Sequence, residues 1–558
     1  MEVRTGMSHV CMFLLTLLPF FAAAQVPEPV WSAHIGTGGR DRIEDAFLAI
    51  DGSVLVAGNL AAPLEQLGDF VVPTPADSAA PDDPKYGVAL LARLGRDSGA
   101  PVAVRQFPRG LLHLTNVVAT ADAVYASGYA TARMEKLLRP KVGFQSNSDL
   151  SGEFSTAPTP HIHRHDPLID KVRDGRGRPV VIRLTPDLST ITAAAFLEGW
   201  HHIWHVPQPL KEDRHSPVGL GLLSNGAVVV AHDGGQILPD PNTGEAQNFY
   251  HAPDYLSLLS PDLNRRHWHG RIETPEVEPA RIRALLGDDF AHDWMGNVRT
   301  MRLRVAPDDR IFVCGWSASQ TMKEPWWSPF LYEIDPLDGE KVWSGWTVDP
   351  TGSGGRMGGL VSDSVVRSIA FDEQGRLVVA LNSDGGNNIA ARQPNDYTKE
   401  SPKLKGDTPW GLRGRTLFIG NVQRLDLSQE ARLAGAFIHG RSNGTAKAAW
   451  PIDLAALPGG DVFVVGRYTR GFSFKHAWHK ASRPGSFLRV YTPQFDLKFS
   501  TGLEGADLRT VHRRGDDLVV SGSTQARQTL GNSTLKAHQG GSTDGYVVLL
   551  RIPEAPSR

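Results

Sequence analysis

Short β-branched runs flanked by Gly and Asp dominate the hydrophobic pattern, and one such unit returns along the whole chain. It consists of a turn, an apolar strand and then, usually, a glycine. The copies are Gly52–Gly58, Asp122–Gly128, Gly226–His232, Asp309–Gly315, Gly375–Leu381, Gly460–Gly466 and Asp516–Gly522. A tight turn joins each copy to a preceding candidate strand, as in Val298–Val305 or Val366–Phe371. A third strand follows each copy after a variable gap: Val88–Leu94, Val180–Leu184, Tyr255–Leu259, Phe330–Ile334, Leu417–Leu425, Phe487–Tyr491 and Tyr546–Ile552.

Six units then continue into a fourth strand, namely Pro101–Phe107, Thr190–Leu197, Arg266–Ile272, Lys341–Val348, Arg432–Ile438 and Lys498–Leu503. The last unit ends at Ile552 without one, while an orphan strand, Pro29–Ile35, stands near the N-terminus. The pattern predicts an all-β, seven-bladed β-propeller of four-stranded blades, the N-terminal strand completing the last blade and closing the ring. Closure protects the strand edges of a chain this rich in β-structure. Two packed sandwiches would require the sevenfold match to be accidental.

Ile35–Gly39 followed by Asp41, the run Asp51–Gly58, and Gly540–Leu550 resemble the bacterial SBBP-type β-propeller repeat. The match is good in the first and last units and degenerate between them, where His232 and Leu381 replace the marker glycine. The resemblance implies a bacterial exported propeller. It implies no catalytic residues, because the family's motifs are structural.

Marker positions lie 56 to 104 residues apart, whereas a bare blade needs about 40–50. The surplus falls between second and third strands and between blades, links that emerge on one face of a propeller. That face is predicted to carry long loops and function, and the other to be bare. Residues 140–178, rich in Ser, Pro, Asp, Gly and His, read as a flexible insertion, and Glu278–Leu286 as a short helix.

The chain start fits a signal peptide: Arg4, the apolar run Val10–Phe21, then Ala22-Ala23-Ala24, with cleavage expected before Gln25. Residues 1–24 would be removed, leaving 25–558 as one exported domain, periplasmic or extracellular. The apolar run is short for a membrane span, and no transmembrane segment is expected. Removal of Cys11 leaves Cys314 alone, which excludes an intrachain disulfide. A net charge of −2 argues against a nucleic-acid partner.

Two side-chain groups suggest chemistry on the loop-bearing face. Trp200, Trp204, Trp294, Trp316, Trp326 and Trp327 offer flat surfaces for a carbohydrate or protein ligand. The competing reading has them wedge between blades and prop up loops. Twelve of the 20 histidines lie between 161 and 292, and His163, His165, His202, His232 and His292 could converge on zinc or copper. They could equally be polar surface residues. The loop Asn382–Asn388 is rich in oxygen donors but lacks calcium-loop spacing. No nucleophile elbow, phosphate loop or paired-histidine metal motif is present. The leading expectation is therefore a binding or scaffold module. A metal-dependent hydrolase, lyase or oxidoreductase built on the histidines is the alternative.

Overall fold

The computed structural model describes residues 26–73, 87–131, 134, 137–138, 176–197, 201–202, 219–233, 238–239, 246–247, 254–272, 298–319, 326–346, 364–383, 392–394, 399–406, 419–429, 431–442, 445–469, 471–475, 477–478, 481–525, 530–535 and 542–553. The fold is all-β, with sheets in a propeller arrangement, and no helix among these residues is long and apolar enough to cross a membrane. The helix expected at Glu278–Leu286 lies outside the described residues. So does most of the 140–178 insertion, although its last residues already belong to strand Arg176–Leu184.

Five sheets each contain a four-strand antiparallel path. Their inner strands are Arg42–Leu48, Leu112–Ala119, Gly219–Leu222, Val298–Val305 and Ala506–Arg514. The remaining two sequence units, with inner strands Ser364–Phe371 and Ala449–Ala456, do not stand as separate sheets but share one of eight strands. A single parallel bridge, Ile419 to Ala449, joins them. Glycine at 420 permits this approach, since a Cβ there would run into the ring of Pro451.

Successive inner strands pack against each other from Arg42–Leu48 through to Ala506–Arg514, and the last also packs on the first. Strand Glu28–Ile35 pairs antiparallel with the final strand Asp544–Arg551, from Glu28 opposite Arg551 to Ile35 opposite Gly545.

The recurring apolar run is the second strand of each unit. Val54–Leu60 and Val124–Ala130 are buried at every position, because both faces of this strand meet a neighbouring sheet. Alternation is therefore lost and a continuous apolar run remains. The marker glycine has a steric cause as well. Inner strands bulge opposite it (between Leu114 and Asn116, or Thr300 and Arg302), and the bulge pushes a carbonyl inward. A Cβ on Gly128 would collide with the His113 carbonyl oxygen, and one on Gly315 with that of Arg299.

Two tryptophans staple sheet to sheet in the same way. Trp268, on an outer strand, donates from Nε1 to the Pro336 carbonyl (2.9 Å) and lies under Gly339 of the next sheet's turn. Trp31, on the N-terminal strand, donates to the Arg96 carbonyl (2.7 Å) and lies under Gly99. Both glycines adopt positive φ, 82° and 68°, so a side chain at either would be strained as well as in collision with the indole.

Candidate functional site: a polar collar in the channel

The residue just after each inner-strand bulge has an equivalent in every unit. By pairing with the second strand these are Asp45, Asn116, Gly219, Arg302, Ser368, Asp453 and Thr510. All but the glycine are polar. Two residues further on, the same faces carry Phe47, Val118, Gly221, Arg304, Ala370, Ala455 and His512. A cavity of about 300 Å³ lies against part of this double layer, bounded by Asp45, Phe47, Asn116, Arg302, Arg304 and His512 among others.

Asp453 is fully buried and anchors the collar. It takes Arg302 Nη2 at 2.8 Å and Arg304 Nη2 at 3.2 Å, the Ser368 hydroxyl, and the backbone N–H groups of Val511 (2.9 Å) and Leu454 (3.0 Å). Burial alone would raise its pKa, but the two guanidinium charges and these donors outweigh burial and hold the carboxyl below the usual range. Arg302 also donates to the Arg509 carbonyl (2.8 Å).

Asp45 stands on the inner strand two along from that of Asp453 and accepts one hydrogen bond among the described residues, from Val117 N–H at 3.1 Å. Burial pushes its carboxyl up to about 6; the charges of Arg302 and Arg304 and the Val117 bond oppose this only in part, and the Asp453 charge adds to the rise. His512 accepts the Leu48 N–H at Nδ1 (3.1 Å), which leaves its proton on Nε2, and its ring lies 4.2 Å from that of Phe47. Burial, helped by Arg304 and Arg514 against Asp453, lowers its pKa to about 3, so it is neutral at physiological pH.

Two atoms of this wall have no hydrogen-bond partner among the described residues, Arg302 Nε and Asn116 Oδ1. Beside the collar, Ser368 donates to Asp453, and burial pushes the Cys314 thiol up to about 12.

None of the residues singled out in the sequence is among the described residues that line this cavity. His163, His165, His292, Trp200, Trp204 and Trp294 are outside the described residues. His202, Trp326 and Trp327 are placed by backbone only: His202 opposite Arg176, and the tryptophans opposite Ser319 and Ala318. Trp316 is half-buried on strand Ile311–Ser319. His232 is buried in its sheet and stacks with Tyr255 (5.7 Å) and His269 (5.9 Å), the latter bonded to Ser257 Oγ at 2.8 Å. Asn382 and Ser383 of the oxygen-rich loop are buried strand residues. No group of three or more His, Cys, Asp or Glu side chains able to hold a metal occurs among the described residues.

The collar has a mark in the sequence. Its members stand 12 or 13 residues before the marker positions, from Asp45 before Gly58 to Thr510 before Gly522. Polar residues at a nearly constant offset before the marker positions are the available signal.

No protein-family model matches the chain, and no curated protein matches it significantly. Several solved structures show a distant likeness to it. A protein of unknown function from Dyadobacter fermentans is 11% identical with a TM-score of 0.40, covering 94% of this chain and 99% of its own. A quinohemoprotein alcohol dehydrogenase from Comamonas testosteroni is 11% identical at TM-score 0.40, covering 96% and 78%. The Dos1 propeller is 7% identical at TM-score 0.38, covering 94% and 96%. At such values they carry nothing about activity, and the propeller arrangement rests on the strand pairings above.

Proposed function

We propose that this chain is an exported, seven-bladed propeller of SBBP-like repeats that works as a binding module rather than a catalyst. The eight-stranded sheet counts as two blades, and the N-terminal strand closes the ring. The matching Trp31 and Trp268 staples support that count, since the N-terminal strand then acts as any other outer strand. A small ligand sits in the channel cavity. The loop-bearing face, with Trp316, Trp326 and Trp327, meets a protein or carbohydrate partner.

The observation that carries the binding role is the roughly 300 Å³ cavity with charged groups on its wall. That volume is at the lower end of small-molecule sites, about 300–1,000 Å³. A fragment library screened by ligand-observed NMR against the mature chain tests it. Hits should disappear in Val118→Phe, which fills the cavity without touching a charge. A screen with no hits, or hits that survive this substitution, would overturn the channel reading.

A further inference from the structure

We propose that the channel cavity takes a small hydroxylated monocarboxylate, its carboxylate against Arg304 and Arg302 and its hydroxyl against Asn116 and Asp45. This rests on reading the cavity as a ligand site and adds the chemistry of the ligand.

The charges on the wall do not cancel among the hydrogen-bonded groups. Two guanidinium groups share the single carboxylate of Asp453, which is wholly enclosed and offers nothing to a ligand. Arg304 keeps 30% of its side chain exposed, against 8% for Arg302, so it is the cation a ligand meets. Asp45 makes no ion pair closer than 4 Å with either arginine; its one hydrogen bond is to a backbone N–H. The donors that remain are therefore the rest of the Arg304 fork, Arg302 Nε and His512 Nε2–H, and a planar carboxylate suits a guanidinium fork. Asn116 Oδ1 is an acceptor left over and the protonated Asp45 carboxyl a donor, a pair that a hydroxyl on the same ligand can satisfy. Phe47, Val118 and Val305 supply the apolar wall beside them.

A bound carboxylate would stand near the Asp45 carboxyl, so binding should be coupled to protonation of that residue. Asp45 is faced by Arg302, Arg304, Asp453, the Val117 N–H and, across the cavity, neutral His512. Protonated Asp45 donates to the ligand; ionised Asp45 repels it. Affinity should fall as pH rises above about 6, by up to about tenfold per unit.

Isothermal titration of the mature chain with glycerate, lactate and glucuronate, and with glycerol and glucose as neutral counterparts, tests the assignment at pH 5.5 and 8. Carboxylates should bind with proton uptake, more tightly at pH 5.5, and the neutral compounds at least tenfold more weakly. Arg304→Gln, checked for fold by circular dichroism, should lose most of the affinity. Asp45→Asn should keep binding but lose its pH dependence, a separation that a purely structural role would not give. Neutral compounds binding as well as carboxylates would overturn the ligand class while leaving the cavity a binding site. Absence of binding by any probe, together with an empty fragment screen, would remove both.

Discussion

Asp45 and Asp453 occupy the same register position on two inner strands, and each accepts the N–H of the residue after the equivalent position on the next strand, Val117 at 3.1 Å and Val511 at 2.9 Å. Arg302 and Arg304 form their ion pairs with Asp453 and not with Asp45. One repeat position has thus produced a structural anchor and, separately, a carboxyl whose charge depends on pH.

Removing the anchor should be costly. Asp453→Ala leaves two largely buried guanidinium groups without their counter-charge, and breaking such a pair typically costs about 3–5 kcal/mol. Urea unfolding measures it. A loss under about 1 kcal/mol would mean that water reaches the collar and the ion cluster contributes little.

His512 and Asp45 should bend the acid side of the stability curve in opposite directions. His512 has a folded pKa near 3, below its ordinary 6.5, so on acidification the unfolded chain takes its proton first. Its contribution is complete above pH 6.5 and drains away as pH falls toward 3. Asp45, raised to about 6, takes its proton first in the folded state, so stability is gained between pH 6 and 4. His512→Gln should therefore shrink the drop in Tm between pH 7.5 and 4.5, and Asp45→Asn should enlarge it. The reverse order in a thermal-melt series would show that the two environments are misassigned.

The marker glycine should be intolerant where the bulge opposes it. Gly315→Ala drives a methyl into the Arg299 carbonyl and should cost roughly 1–3 kcal/mol or more. Gly270→Ala, with nothing within 4 Å of the added methyl, should be nearly neutral. Equal midpoints for the two variants in denaturant would contradict the steric account.

If the N-terminal strand completes the last blade, Trp31 holds that junction. Trp31→Ala removes a fully buried indole and its bond to Arg96, a change worth about 3–5 kcal/mol. Hydrogen exchange should then show early opening along Asp544–Arg551. Protection there unchanged from the parent chain would argue against the proposed closure.

Much of the architecture was open to reading from the chain because blade repetition is local. A second strand enclosed on both faces must be apolar throughout, and a bulge opposite it demands glycine, so both leave marks on the sequence. The union of two units into one sheet left no such mark, since it depends on the close approach of Gly420 to Pro451. His232 shows the same limit: as a residue type it suggested a metal ligand, whereas its neighbours place it in a stack with Tyr255 and His269.

The sequence by itself determined the all-β character, the repeat and its fixed offsets, because strand periodicity and turn chemistry act between near neighbours. Only the tertiary structure decided which repeated position became chemistry. Asp45, Arg302 and Asp453 are hundreds of residues apart at the extremes and come together because successive inner strands pack on one another. There, Asp453 holds both guanidinium groups and Asp45 neither, which makes two equivalent aspartates differ.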